Sequence, residues 1–297
     1  MFTGLSAFPL TPMHDDRLDE AAFARLVARL AVAGVDSIGA LGSTGSYPYL
    51  DRAERARAAR VAVEHADGIP VMVGIGALRL RDVLHYAEDA QRAGASAVLL
   101  APVGYHPLNA GEVFHLYEVV SRTLSVPLCV YDNPGTTRFA FTDELHAAIA
   151  ALPNVASIKL PGATFDAPEA PSRISCLRAR IPARVSLGVS GDRFAVAGFK
   201  AGCDLWYSVI GGLFPQRALA IARAAQAGDW ARATAESDRL TPLWTLFNQH
   251  GGGVRVMATA AELMGLVPSP CLPAPLRPLE GEARRELATV LHALELG

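Results

Sequence analysis

Lysine is nearly absent from this chain. Of its 27 basic residues, only Lys159 and Lys200 are lysines, and all the others are arginine. Other signatures are missing too. The four cysteines, Cys129, Cys176, Cys203 and Cys271, lie far apart and form no CxxC. Neither a disulfide framework nor a thiolate metal site is expected, and free, mostly buried thiols in a reducing cytoplasm are. The eight histidines show no ligand spacing, so no metal is expected. A formal net charge of −2 with no basic cluster excludes a nucleic-acid surface. The longest uncharged stretch, Ala93–Gly111, is broken by Pro102, Gly104, His106 and Pro107, so no membrane span is expected. The opening MFTGLSAFPLTPMHDD has no basic start followed by an apolar core, so no secretion signal is expected either. These absences predict a cytoplasmic protein without nucleic-acid, membrane or metal partners.

Short apolar runs recur along the chain. They are Gly4–Phe8, Val35–Leu41, Pro70–Ile75, Ala95–Ala101, Val126–Tyr131, Val155–Lys159, Arg184–Val189 and Asp204–Val209. Each has the length and apolar character of a parallel strand covered on both faces. Amphipathic segments separate them. In DEAAFARLVARLAVAG, Phe23, Leu26, Val27 and Leu30 share a helical face, and Gly34 follows as a C-cap. Eight strand–helix units predict an α/β fold, the (β/α)8 barrel. The competing doubly wound sheet lacks its GxGxxG fingerprint, since GIGALRLRD keeps only the first two glycines. The barrel is expected over residues 1–214. Residues 215–297 are expected to be a helical extension packed on it, broken at Gly228-Asp229, at Gly251-Gly252-Gly253 and by the Pro-rich VPSPCLPAPLRPL.

Barrel chemistry sits at the C-terminal ends of the strands. Lys159 ends the sixth run. A strand-closing cation needs no lysine, and this chain otherwise uses arginine. An amine, unlike a guanidinium, condenses with a ketone or aldehyde, and a desolvating pocket favours the free base that attacks. Lys200 falls on a helical pattern and is expected to be exposed. Tyr131 ends the neighbouring fifth run, where its hydroxyl suits either proton relay or a core hydrogen bond. The loop Gly42-Ser43-Thr44-Gly45-Ser46 offers backbone N–H groups and hydroxyls to a carboxylate, or serves as an ordinary strand–helix turn.

Together these motifs resemble the dihydrodipicolinate synthase / N-acetylneuraminate lyase family of lysine-dependent aldolases, from Leu5 to about Leu213. GSTGS is similar to the family's G-[TS]-[TS]-G-E loop, YDNPGTT to its Y-N-x-P-x-x-T, and SIKLPG to its G-I-K strand. VSGDRFAVAGFKAGCDLWYSVIGG is similar to its S-G-D-D…I-S-V stretch. The resemblance implies that Lys159 forms an imine with pyruvate or a related 2-oxo acid, so that no cofactor is required. It implies that Ser43, Thr44 and Gly45 hold the carboxylate. Tyr131, helped by the Thr44 hydroxyl, would pass protons, and Tyr207 would turn its carbonyl to the lysine. A homotetramer is implied as well.

The chain departs from the family where the second substrate is gripped. Thr136 stands where the lysine-pathway synthases carry an arginine, with Arg138 two residues on. Ser46 replaces the loop glutamate, and the relay tyrosine lent to a neighbouring subunit falls at Gly104, beside Tyr105. A lost guanidinium–carboxylate contact predicts weaker binding of aspartate semialdehyde. Tyr47, Tyr49, Tyr105 and His106 are expected to form a partly aromatic second-substrate pocket. The expected activity is that of a Schiff-base aldolase or lyase. The alternatives are 4-hydroxy-tetrahydrodipicolinate synthase with Arg138 substituting, an enamine-based dehydratase or hydratase, and a non-catalytic 2-oxo-acid-binding protein.

Overall fold

The computed structural model describes residues 3–296. Each of the eight apolar runs forms one strand: Gly4–Ala7, Ser37–Ala40, Val71–Gly74, Ala97–Leu100, Leu128–Tyr131, Val155–Leu160, Ser186–Ser190 and Leu205–Ser208. All are parallel, and the first pairs with both the second and the eighth, which closes the expected barrel. Most strands begin or end a residue or two inside the apolar run, whereas the sixth and seventh extend one residue beyond it.

Local chemistry sets the helix boundaries. Glu20–Ala33 starts where the Asp19 carboxylate accepts the Ala22 N–H at 2.9 Å. It stops at Gly34, whose φ of 74° is a conformation that only glycine adopts cheaply. Arg52–Glu64 and Ala110–Thr123 both open with capping boxes, Asp51 with Glu54 and Asn109 with Glu112. The strands bury their outward faces under these helices in one large core. A second, smaller apolar cluster fills the inside of the barrel and includes Phe8, Met72, Leu99, Tyr131, Leu205 and Tyr207.

The helix Pro215–Gln226 lies against the first strand. Its Arg223 guanidinium grips both Asp36 oxygens, at 2.8 and 2.9 Å. The division expected at residue 214 therefore falls just before the eighth helix of the barrel. Beyond it come Trp230–Arg239, Thr241–Gln249, Gly253–Leu263 and Gly281–Ala293. The break at Leu240 was not expected from the pattern. Pro242 accounts for it, because it lacks an N–H and its ring would strike the carbonyl one turn earlier. The Pro-rich connector is tied down by buried Glu262, which accepts from the Ser269 hydroxyl at 2.9 Å, the Cys271 N–H at 3.1 Å and Arg284 at 2.8 Å. No helix among the described residues is long and apolar enough to cross a membrane.

Candidate active site

Lys159 sits one residue before the end of the sixth strand, paired across to Tyr131 on one side and Gly188 on the other. It is only 5% exposed. Its Nζ lies 4.0 Å from the Phe8 ring centroid, 4.3 Å from that of Tyr131 and 5.4 Å from that of Tyr207. Among the described residues no carboxylate forms a salt bridge with it. Ring faces attract an ammonium by roughly 0.5–2 kcal/mol each. Removing the ion from water costs several kcal/mol. The cage thus holds an amine that no ion pair pins down. Lys200, by contrast, ends a surface helix and is exposed, its Nζ 5.9 Å from the Trp230 ring centroid.

Two glycines make room for the cage. A Cβ on Gly39 would lie 2.4 Å from the Phe8 ring, and one on Gly188 would lie 2.4 Å from Tyr207 Cε2. Phe8 is held over the barrel by its N–H, which donates to the Ser208 carbonyl at 2.9 Å.

The Tyr131 hydroxyl has two partners. Ser43 Oγ is 3.2 Å away, and Asn133 Nδ2 donates to it at 2.9 Å. Burial pushes the phenol up, but the Lys159 charge and the hydrogen bonds to Ser43 and Asn133 outweigh it, so the group is held below the usual tyrosine range. The sequence reading paired Tyr131 with the Thr44 hydroxyl, whereas the structure brings Ser43 there. Leu41 takes a left-handed φ of 55°, which turns the loop, and Thr44 is left buried beside the serine. Gly45 is packed tightly: a Cβ there would come 2.8 Å from Thr11 Oγ1 and 3.2 Å from Leu41 Cα.

Tyr207 lies in the barrel interior, with its hydroxyl 2.6 Å from Ser157 Oγ and 3.2 Å from Cys129 Sγ. Burial pushes this phenol well above its ordinary value and the Cys129 thiol to about 11. Both are neutral near pH 7 and form a polar floor to the site.

The remaining expected residues are scattered. Thr136 and Arg138 are exposed at the turn Pro134–Arg138, where Arg138 takes a φ of 57°. Tyr105 is 83% exposed and meets His106 edge-on, with ring centroids 5.2 Å apart, and neither ring is among those caging the lysine. Tyr47 does not open onto solvent. It is buried, the Arg55 guanidinium lies 5.1 Å from its ring centroid, and burial pushes its phenol up to about 12. Among the described residues no group of three His, Cys, Asp or Glu side chains is placed to hold a metal.

Sequence reasoning missed Phe8 and Asn133. Phe8 carries no local signal, but Asn133 does: residues two apart in extended chain share a face, so an asparagine two after Tyr131 can turn back to its hydroxyl. Also missed was a fully buried pair behind the sheet, with His146 Nε2 3.3 Å from Asp132 Oδ2 and the imidazole stacked 4.9 Å from Phe141.

A family model described as the dihydrodipicolinate synthetase family matches residues 1–294. The chain belongs to that family. It is a lyase of the Schiff-base type, the class that family comprises. A 4-hydroxy-tetrahydrodipicolinate synthase of Azoarcus sp. is 32% identical over 295 residues, covering 98% of each chain. Among solved structures, a dihydrodipicolinate synthase from Agrobacterium tumefaciens superposes with a TM-score of 0.93 at 43% identity, covering 99% of this chain and 98% of that one. The Thermotoga maritima dihydrodipicolinate synthase superposes at 0.92 with 26% identity over the full length of both.

Proposed function

We propose that this enzyme makes or breaks a carbon–carbon bond next to a 2-oxo acid held as an imine on Lys159. The observation that carries the reading is the amine itself: buried at the C-terminal end of a barrel strand, enclosed by Phe8, Tyr131 and Tyr207, and with no carboxylate partner among the described residues. In the condensing direction the amine nitrogen attacks the C2 ketone of pyruvate. The carbinolamine oxygen then takes a proton and leaves as water. Loss of a C3 proton from the imine gives the enamine. Its C3 attacks the aldehyde carbon, the carbonyl π pair moves to oxygen, and that oxygen takes a proton. Water finally hydrolyses the imine and restores the amine.

Tyr131 is the group placed for these proton transfers. Asn133 donates to its oxygen, which leaves the phenolic proton free to face Ser43 or the reacting atoms. Ser43, Thr44 and Gly45 would receive the keto-acid carboxylate, and the Tyr207 main chain would border the lysine. No cofactor is needed, because the protonated imine is the electron sink. The protein is read as a cytoplasmic homotetramer acting on small molecules.

A second reading, 4-hydroxy-tetrahydrodipicolinate synthase, is favoured by the name and full-length coverage of the curated relatives. Against it stands Thr136 at the position of the synthases' arginine. Borohydride trapping with a panel of 2-oxo acids, followed by intact mass, tests the first reading, which expects one reduced pyruvate-type adduct per chain. A coupled assay with aspartate semialdehyde decides the second. Turnover as efficient as with any other aldehyde would favour the synthase.

A further inference from the structure

Behind the fifth strand, on the face turned away from the barrel interior, two buried titratable side chains meet that the proposed chemistry leaves unused. His146 Nε2 lies 3.3 Å from Asp132 Oδ2. The imidazole is wholly enclosed and the aspartate is 4% exposed. Asp132 stands between the two residues on which proton transfer depends. Tyr131 precedes it, and Asn133, which donates to the Tyr131 hydroxyl, follows it. Successive residues of extended chain alternate in direction. Tyr131 and Asn133 therefore share the active-site face, while Asp132 points back under the helices.

The Asp132 N–H donates to the Lys159 carbonyl at 3.0 Å, the last rung between the fifth and sixth strands. Beyond it Asn133 leaves the ladder at φ −148° and ψ 80°, and the chain turns into Pro134–Thr137. The backbone ladder thus stops one residue short of Asn133, and the Asp132 side chain is what anchors this end of the strand from behind. The far end of that anchor is firm. His146 belongs to the helix Asp143–Ala150, which packs on the sixth strand, and Thr142 caps the helix by accepting the Leu145 N–H at 3.2 Å. The imidazole stacks on Phe141, with ring centroids 4.9 Å apart and planes 8° apart. Phe139 and Tyr117 meet Phe141 edge-on, and the Tyr117 hydroxyl donates to the Leu100 carbonyl at 2.6 Å.

Stability does not account for the pair. Asp132 Oδ1 and both imidazole nitrogens complete no hydrogen bond among the described residues. Well-packed apolar side chains in place of such a pair are often neutral or stabilising. What they cannot supply is a directed contact that fixes one orientation of a peptide.

We propose that the Asp132–His146 contact is a positioning device. It holds the peptide that joins Tyr131 to Asn133, and so keeps the Tyr131 hydroxyl in line with the reacting atoms. This rests on the Schiff-base reading and deepens it.

The test needs the full-length enzyme and pyruvate alone. In deuterium oxide the enamine takes up deuterium at C3, and NMR of the pyruvate methyl group measures that transfer separately from imine formation. Borohydride trapping on the wild type comes first. If no adduct forms on Lys159, the Schiff-base reading falls and this inference with it. With the adduct present, the wild type should exchange its methyl protons. Asp132→Val/His146→Leu makes the pair apolar. It should fold as the wild type does and trap pyruvate at wild-type yield, but exchange about 10- to 100-fold more slowly. Asp132→Asn keeps the size and a polar contact with the imidazole, and should keep most of the exchange. Should the apolar pair fail to fold, Asp132→Ser, too short to reach the imidazole, reads the same loss. The proposal is overturned by wild-type exchange per trapped imine in the apolar or serine variant, or by trapping that falls as far as exchange. It is equally overturned if Asp132→Asn is as slow as the apolar pair, or if the wild type forms the imine without exchanging.

Discussion

Asn133 donates to the hydroxyl of Tyr131 at 2.9 Å, from a position two residues further along the same chain. The donor lies inside the subunit. It fixes the tyrosine oxygen as an acceptor on one side, so the phenolic proton is directed to the other. The resemblance implies a relay tyrosine lent by a neighbouring subunit, at a position that is Gly104 in this sequence. The contact that Asn133 makes with Tyr131 comes from the same chain.

Asn133 is therefore expected to act as a positioning residue. Asn133→Leu should lower kcat by about 10- to 100-fold and shift the basic limb of the kcat–pH profile, while borohydride-trapped pyruvate stays at wild-type yield. A fall in trapping equal to the fall in kcat would mean that the substitution merely disturbs the site.

Tyr131→Phe removes the hydroxyl proposed to transfer protons and should cost about 10²- to 10⁴-fold in kcat. The Lys159 charge is one of the influences that hold the Tyr131 phenol below its usual range, against burial. In Lys159→Met the phenol should accordingly titrate at higher pH than in the wild type. Ultraviolet difference titration reads this directly, and an unchanged or lower midpoint would contradict the assigned proximity.

Gly188 is required by the ring it faces. Gly188→Ala would set a methyl group 2.4 Å from Tyr207 Cε2 inside the barrel. Overpacking of that kind typically costs about 1–3 kcal/mol. Denaturant unfolding should show the loss, and Gly188→Ala/Tyr207→Leu should recover most of it by removing the obstructing ring.

Asp192 gives the fold a pH signature. Burial pushes its carboxyl up to about 6, and the Ile210, Val209 and Trp206 donors limit that rise. An unfolded aspartate titrates near 3.9. The folded state therefore binds the proton more tightly, and the penalty is fully present above pH 6. It is relieved as pH falls from about 6 towards 4, by up to ~3 kcal/mol. The unfolding free energy of the wild type minus that of Asp192→Asn should rise on acidification across that window. A flat difference would mean that the carboxyl is not shifted.

Much of this was legible because it is local. Eight short apolar runs separated by amphipathic segments specify parallel strands and covering helices, and they formed where the runs stood. Lys159 and Tyr131 were legible because both end such runs. The rest depends on contacts between distant segments. Phe8 reaches the lysine across the barrel from the first strand, through space that Gly39 leaves open, and nothing near Phe8 in sequence announces this. Ser43 rather than Thr44 meets Tyr131, in a loop where Leu41 and Ser46 both take left-handed conformations, and no hydrophobic pattern encodes that. Trp244 and Phe247 read as the apolar face of a helix, and only the packing of that helix on the turn Asp192–Phe194 makes them the wall of a cavity of about 410 Å³. Exposure is not encoded by loop placement either: Tyr47 is buried and Tyr105 exposed, although both follow barrel strands.

The most direct measurement is peptide mapping after borohydride reduction in the presence of pyruvate, made on the wild type and on Lys159→Arg alongside their rates. The account predicts a reduced adduct on Lys159 and none on Lys200, with both adduct and turnover lost in the arginine variant. An adduct on Lys200, or an arginine variant that turns over at the wild-type rate, would contradict it.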